Sequence, residues 1–516
     1  MKKTYFNIIT AIVFLLLAWL LFANLSDHYL WNDEASTAIL SRNVLKYGYP
    51  SSFDGTNMHY PDWPEFHRPG TYIWKVDPWV QNYLMAASFK LFGINTWSAR
   101  LPFVLSGFLT LVILFIFCIR HLGSKKIGLF SILLMGTSVP FLLHARQARY
   151  YGLVILLSFA VFYLYHRVVE KKKGYIWLGI VSLVLSLTHH VVFIPIFGAV
   201  CLSALFIDRR EIKWKHFILM SILPALGFLA WVAFSWVGSD PVAFPVSSSL
   251  KEIKKNLEFQ IRTINGYFVP VAFWLVVMMI SRALKKHSFI VPSEKEKKIF
   301  KRVGIFLLCN MIIFTFVGLR TMRYYVHYLP FLFMLEGFLI FSVFQKKKVL
   351  ATVILALVIF TNIPGKANPA KLRSYFSQYL YEITHEYTGP LEAVCRYLDS
   401  HARPGEHVKI IKGDLTAMFY HPELVILNDE RYFEKSYPEW IVIRKYWKQI
   451  LEDRWKTKFK IRPDVGYLDI LDRYDRITLP AVDSIRENEP DNLETHFFRS
   501  PVVTPDNQMF IYRLKK

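Results

Sequence analysis

The chain has little cysteine, and what it has cannot staple it. Of four cysteines, Cys118, Cys201 and Cys309 fall in apolar stretches and read as small core residues, which leaves Cys395 alone. That excludes a disulfide framework, and the absence of C-x-x-C and H-x-x-x-H spacings leaves no motif-built zinc site. Acid is scarce as well: 39 Asp and Glu stand against 62 Lys and Arg, a formal charge of +23. Internal repeats and low-complexity tracts are missing, which argues against a solenoid or a disordered tail. A signal-peptidase site is missing too. Met1–Ala23 starts basic and turns apolar, but no small-residue cleavage site follows, so it reads as a retained span.

What is present is apolar surface: 53% hydrophobic and 16% aromatic residues in 516. Eleven apolar stretches approach the ~20 residues that a bilayer core demands. They are Phe6–Ala23, Ala99–Ile119, Ile127–Leu143, Tyr151–Tyr165, Tyr175–Leu187, Val191–Ile207, Phe217–Val237, Tyr267–Ile280, Val303–Leu319, Val326–Phe344 and Val349–Ile363. The basic clusters alternate with them: Lys2-Lys3, Lys125-Lys126, Lys171-Lys172-Lys173, Arg209-Arg210, Arg282–Arg302 and Lys346-Lys347-Lys348. With Met1 in the cytoplasm, all six fall inside, which is the positive-inside pattern. The positive charge thus describes topology, and a nucleic-acid partner is not expected. The expected fold is a polytopic α-helical membrane protein of about eleven spans with an outward C-terminal α/β domain. Residues 1–363 would form the membrane part, with a first outward loop at 27–98, and residues 364–516 the soluble part.

Within the first loop, Ala35, Ala38, Ile39 and Leu45 predict a helix that stops near Gly48. Asp77-Pro78 predicts the start of a second helix, with Val80, Tyr83, Leu84, Ala87 and Leu91 on one face. Both are expected to lie along the membrane surface. The loop Gly238–Asn265 is long enough to fold over the outward mouth. Beyond Pro364, Leu391–Ser400 reads as a helix, and Val408–Ile411, Trp440–Ile443 and Met509–Tyr512 read as strands.

Three sets of residues carry chemistry. Asp33 and Glu34 follow the first span at the water boundary. They fit an N-cap and first-turn acid, or a carboxylate that takes a proton from a hydroxyl. Arg146, Arg149, Arg320 and Arg323 lie in outward turns, where positive charge should be scarce. A phosphate is a sufficient reason for them, since guanidinium matches its oxygens; snorkelling to headgroups is the competing one. Tyr324 flanks the later turn, and Lys75 adds to the same field. His189 and His190, with Glu65, His59 or His67, offer donors for a divalent metal ion. Hydrogen-bonded structural histidines fit equally simply. A sugar on a polyprenyl phosphate would suit these parts, because its leaving group is already anionic and needs cations rather than an acid.

In order and spacing the motifs resemble the GT-C membrane glycosyltransferases, in the protein O-mannosyltransferase and lipid A aminoarabinose transferase branch. The run Trp31-Asn32-Asp33-Glu34-Ala35 is followed by Leu91-Phe92-Gly93 and by Ser98-Ala99-Arg100-Leu101-Pro102. Then come Ala145-Arg146-Gln147-Ala148-Arg149-Tyr150, Leu187-Thr188-His189-His190 and Arg323-Tyr324-Tyr325…Leu329-Pro330. The resemblance covers roughly residues 1–345. It implies an inverting transfer from a polyprenyl-phosphate sugar, with Asp33 as the catalytic acid of the pair and Arg323 on the lipid phosphate. Two departures stand out. Lys75-Val76-Asp77-Pro78 replaces a Lys-Pro-Pro run, and Gln147 stands where relatives carry an acid. A second carboxylate would then come from Glu34 or Asp77.

The expected function is transfer of one sugar to a glycolipid, polysaccharide or protein on the outward face of a bacterial cytoplasmic membrane. A lipid-linked-sugar flippase, or a non-catalytic scaffold with a binding domain, is the alternative. A flippase calls for ionisable groups at mid-span or paired broken helices, whereas the polar groups lie mostly at the outward ends and no paired halves occur.

Overall fold

In the computed structural model, the chain is described over residues 3–60, 66–68, 70–236, 247, 249–283, 292–362, 373–410, 412–427, 437–444, 471–484 and 488–515. Long apolar helices build most of it. Among the described residues, six are long and apolar enough to cross a membrane: Thr4–Phe22, Thr96–His121, Tyr151–Lys171, Trp214–Ser235, Glu294–Phe316 and Met322–Lys346. Two further pairs, Lys125–Thr137 with Val139–Ala145 and Leu250–Phe268 with Val271–Ile280, each become one span if their bends of 69° and 76° are bridged, giving eight. Tyr175–Ser186, His190–Phe206 and Lys348–Phe360 are apolar but shorter. The eleven apolar stretches all fall on these helices, yet length and apolarity support six to eight crossings. The breaks have a local cause: Pro140 and Pro270 each lie at the bend, where proline supplies no amide hydrogen to continue the ladder.

The helices pack closely where side chains are small. A Cβ on Gly152 would lie 2.4 Å from the Phe103 carbonyl oxygen, and one on Gly337 would lie 2.8 Å from the Ser131 amide nitrogen. Bare glycine backbone lets the neighbouring helices approach, as is common between spans. Helix α1 (Lys3–Phe22) leads into α2 (Asn32–Tyr47), which ends on Gly48 at φ +81°. A side chain is strained at that angle and glycine is not.

Two features of the first loop differ from expectation. Helix α3 (Val80–Phe92) starts after Trp79, not at Asp77-Pro78, and has no side-chain cap. Most of helix α2 is buried, and it packs against α3 and the short helix Asp414–Tyr420 of the C-terminal region. In the segment Gly238–Asn265, residues 238–246 and 248 lie outside the described residues, and Leu250–Thr263 is helical.

The C-terminal region carries a five-stranded mixed sheet in the order β2-β1-β3-β5-β4. The strands are β1 (His407–Ile410), β2 (Val425–Leu427), β3 (Trp440–Val442), β4 (Tyr474–Val482) and β5 (Gln508–Leu514). β1 runs parallel to β2 and β3, while β5 is antiparallel to β3 and β4. The expected helix appears as Pro390–His401. The sequence reading missed β2, which is only three residues long, and β4.

The two ends of the bundle differ in charge. At one end Lys125 lies over the Phe6 ring, Lys126 over Phe344, and Lys298 pairs with Glu211 at 3.3 Å. The C-terminal region sits at the other end, where the Tyr379 hydroxyl donates to Leu20 at 2.6 Å and Thr416 donates to Leu30 at 2.9 Å.

Candidate active site

Helix α2 begins immediately after Trp31, so Asp33 sits in its first turn. A helix N-terminus favours an ionised carboxylate there. The Asp33 carboxylate pairs with Nη1 of Arg323, at the start of the segment Met322–Tyr328. Nη1 also lies 3.3 Å from the Tyr151 hydroxyl, and the guanidinium stands 5.6 Å from the Trp31 ring. Arg149 reaches the same place from the turn before the helix Tyr151–Lys171. Its Nη1 donates to the Asp33 carbonyl at 3.4 Å and to Thr37 at 3.1 Å. Its Nε is buried without a partner, a donor left over for something else. Burial works against the Arg149 charge, but nearby tyrosines with Asp33 and Asp77 raise its pKa above the ordinary arginine value. Burial raises the Asp77 carboxyl, with Arg149 opposing.

A third carboxylate comes from the far end of the chain. Asp491 contacts Nη2 of Arg323 at 2.6 Å and accepts the Arg323 backbone N–H at 3.0 Å. Its other neighbour is His144, at 3.7 Å. Burial would raise the Asp491 carboxyl, but the Arg323 charge and His144 outweigh it and hold its pKa below the usual range. Nothing in the sequence marks Asp491 out from its acidic neighbours Glu487, Glu489 and Glu494, in a stretch without periodic pattern.

The remaining candidates separate. Glu34 is fully buried and fully used. It accepts from Arg100 Nε at 2.9 Å, Arg100 Nη2 at 2.7 Å, the Ala148 amide at 2.7 Å and the Trp31 amide at 3.4 Å. None of these contacts is to Arg149 or Arg323. Arg146 donates to the carbonyls of Leu20, Leu21, Ala23 and Asn24, closing the end of α1. Arg320 faces Glu252 at 2.8 Å on an exposed surface. Lys75 is buried, with its amide bonded to Phe66. Tyr324 is half-buried next to Arg323, its ring centroid 6.3 Å from that of His189.

The metal expectation does not assemble among the described residues. His189 caps the helix His190–Phe206 through Nδ1 at 3.4 Å and meets the Tyr150 ring edge at 4.5 Å. Burial and neighbouring positive charge push its pKa well below the usual value. His59 stacks on Trp74 at 5.0 Å, His67 bridges to Trp74, and Glu65 lies outside the described residues. The group with ligand spacing, His121, His166 and Glu170, lies at the basic end. Lys295 already sits on Glu170 at 3.1 Å, and Arg302 on His166 at 2.6 Å.

Beside the polar cluster lies an apolar hollow of about 430 Å³, lined by Trp79, Val80, Tyr83, Leu84, Leu187 and Trp231. Gln81, one residue on from Val80, accepts the Tyr150 amide at 3.1 Å, so hollow and cluster share a wall.

The described helices define a polytopic helical membrane protein. Residues 76–236 match the family model described as dolichyl-phosphate-mannose-protein mannosyltransferase. The whole chain resembles ArnT from Cupriavidus metallidurans in structure. Against ArnT bound to undecaprenyl phosphate the TM-score is 0.55 at 12% identity, covering 99% of this chain and 98% of that one. Against apo ArnT it is 0.56 at 14% identity, with the same coverage. No curated protein matches the sequence. The resemblance to the branch that holds the protein O-mannosyltransferases and the lipid A aminoarabinose transferase therefore stands.

Proposed function

We propose that the chain is an inverting glycosyltransferase that moves a sugar from a polyprenyl-phosphate carrier to an acceptor hydroxyl. The observation that carries this reading is the convergence of Arg149 and Arg323 on Asp33, at the bundle end away from the basic clusters. The acceptor oxygen attacks the anomeric carbon, and the bond from that carbon to the phosphate oxygen breaks. The electron pair leaves with the polyprenyl phosphate, and the proton goes to Asp33. Arg323 and Arg149 hold the phosphate charge as it develops, which is where fixed electrostatics contributes most. The apolar hollow takes the first isoprene units of the tail. ArnT bound to undecaprenyl phosphate, a protein of the same fold, lends support to such a donor.

The positive-inside rule assigns this end to the outward side of a bacterial cytoplasmic membrane, with the N-terminus inside. Residues 364–516 then form an outward domain over the bundle of residues 1–363. The acceptor is a glycolipid, a polysaccharide or a protein. Mass spectrometry of envelope glycans in a strain lacking the gene tests the proposal. The missing residue names the sugar and the truncated product names the acceptor; an unchanged envelope, with no transfer by the purified protein, refutes it. One observation favours a transporter instead. Glu336 is buried within the helix Leu329–Lys346, where it accepts the Trp274 indole N–H at 2.9 Å.

A further inference from the structure

β4 and β5 are antiparallel neighbours, yet the connection between them runs over residues 483–507. Hairpin loops usually need about 2–5 residues, and much longer ones are commonly functional. The described part of this loop lies along the end of the bundle. The Asn488 carbonyl accepts from Gln147 at 3.3 Å, and its amide donates to the Tyr29 carbonyl at 3.3 Å. Glu494 accepts from the Tyr267 hydroxyl at 3.2 Å, and His496 lies 3.1 Å from Glu382. Asp491 falls between these anchors, on Arg323.

One guanidinium therefore carries two carboxylates, Asp33 and Asp491, with Glu489 a further 3.9 Å away. A phosphate that takes either Nη displaces the carboxylate held there, because like charges crowded at one site repel. The two carboxylates are held unequally. Asp491 grips both the side chain and the main chain of Arg323, has His144 behind it, and its side chain is 8% exposed. Asp33 grips Nη1 alone, and its side chain is 27% exposed.

We propose that Asp491 is a positioning residue, the permanent counter-ion that fixes Arg323, and that Asp33 is the exchangeable one. The donor phosphate takes the place of Asp33 on Nη1. The displaced carboxylate is then free to accept the proton of the acceptor hydroxyl, so the base is armed only once the donor is seated. The C-terminal region thus completes the site. The proposal rests on the reading of Arg323 as the phosphate-holding group.

The full chain in nanodiscs, titrated with sugar-free polyprenyl phosphate, tests it. Asp33→Asn is expected to bind the lipid about tenfold more tightly than the wild type, because a competing charge is gone. Asp491→Asn is expected to bind about tenfold more weakly, a change of about 1.4 kcal/mol, with partial recovery in Asp491→Glu. In steady state Asp491→Asn should raise the donor KM with kcat nearly kept, whereas a merely structural loss would lower kcat through the active fraction. If Asp491→Asn fails to fold, the Asp33→Asn titration alone decides. Wild-type affinity in both variants, with binding abolished in Arg323→Ala, overturns this inference and leaves the transferase reading intact. Wild-type affinity in Arg323→Ala overturns the reading beneath it.

Discussion

Replacing Glu34 by alanine should unfold this protein rather than disable its chemistry. Glu34 is 0% exposed and Arg100 7%, so the pair has left water almost completely. Removing the carboxylate strands the Arg100 guanidinium, whose remaining partners are the carbonyls of Leu25 and His28 at 2.9 and 3.0 Å. It also strands the Ala148 amide, in the turn that delivers Arg149. Breaking a buried pair on one side costs about 3–5 kcal/mol, and the orphaned amide falls within that range. Asp33→Asn, by contrast, alters a partly exposed pair and should cost about 1 kcal/mol or less. Thermal unfolding of both variants in detergent, with transfer assayed on the folded fraction, separates the roles. A compensated pair, Glu34→Leu with Arg100→Met, should recover much of the loss, because an apolar pair leaves no charge uncompensated. A Glu34→Ala protein as stable as the wild type but inactive would refute the structural assignment.

Other outcomes follow from the same contacts. Arg149→Ala should lower kcat about 10²–10³-fold, the usual cost of removing one donor to a developing anion, in the labelled-sugar assay. Glu336→Gln keeps an acceptor for the Trp274 indole and should leave transfer within about twofold; complete loss would favour a mid-span ionisable role. Burial holds the His28 imidazole at a pKa of about 4, against a weaker opposing pull from Glu382. Because that value is depressed, the neutral ring is tolerated at and above pH 6.5. Stability should fall by about 3 kcal/mol as pH drops from 6.5 toward 4, and urea unfolding at pH 7 and pH 4.5 measures how much of it is lost.

The sequence carried the membrane core and the first-loop acid plainly, because apolar length and a carboxylate at a span end are local signals. It also carried Arg323 and Arg149, which lie in turns that the positive-inside pattern expects to be poor in cations. It did not show the partner of Glu34, since the ion pair with Arg100 joins residues 66 positions apart and leaves no local trace. Arg146 looked like Arg149 in sequence, yet three residues of turn point it at the end of α1 and not at Asp33. Asp77 read as a helix cap because proline follows it. The helix begins after Trp79 instead, two residues beyond the expected cap. Asp491 lay beyond reach because 168 residues separate it from the arginine it holds. Short strands such as β2 escape periodicity altogether, since three residues cannot show a repeat.

The most direct test of the account is one substitution read two ways. Asp33→Asn protein, supplied with a radiolabelled polyprenyl-phosphate sugar and its acceptor, should still bind the donor and should transfer no measurable sugar. Transfer at the wild-type rate would contradict the account at its centre.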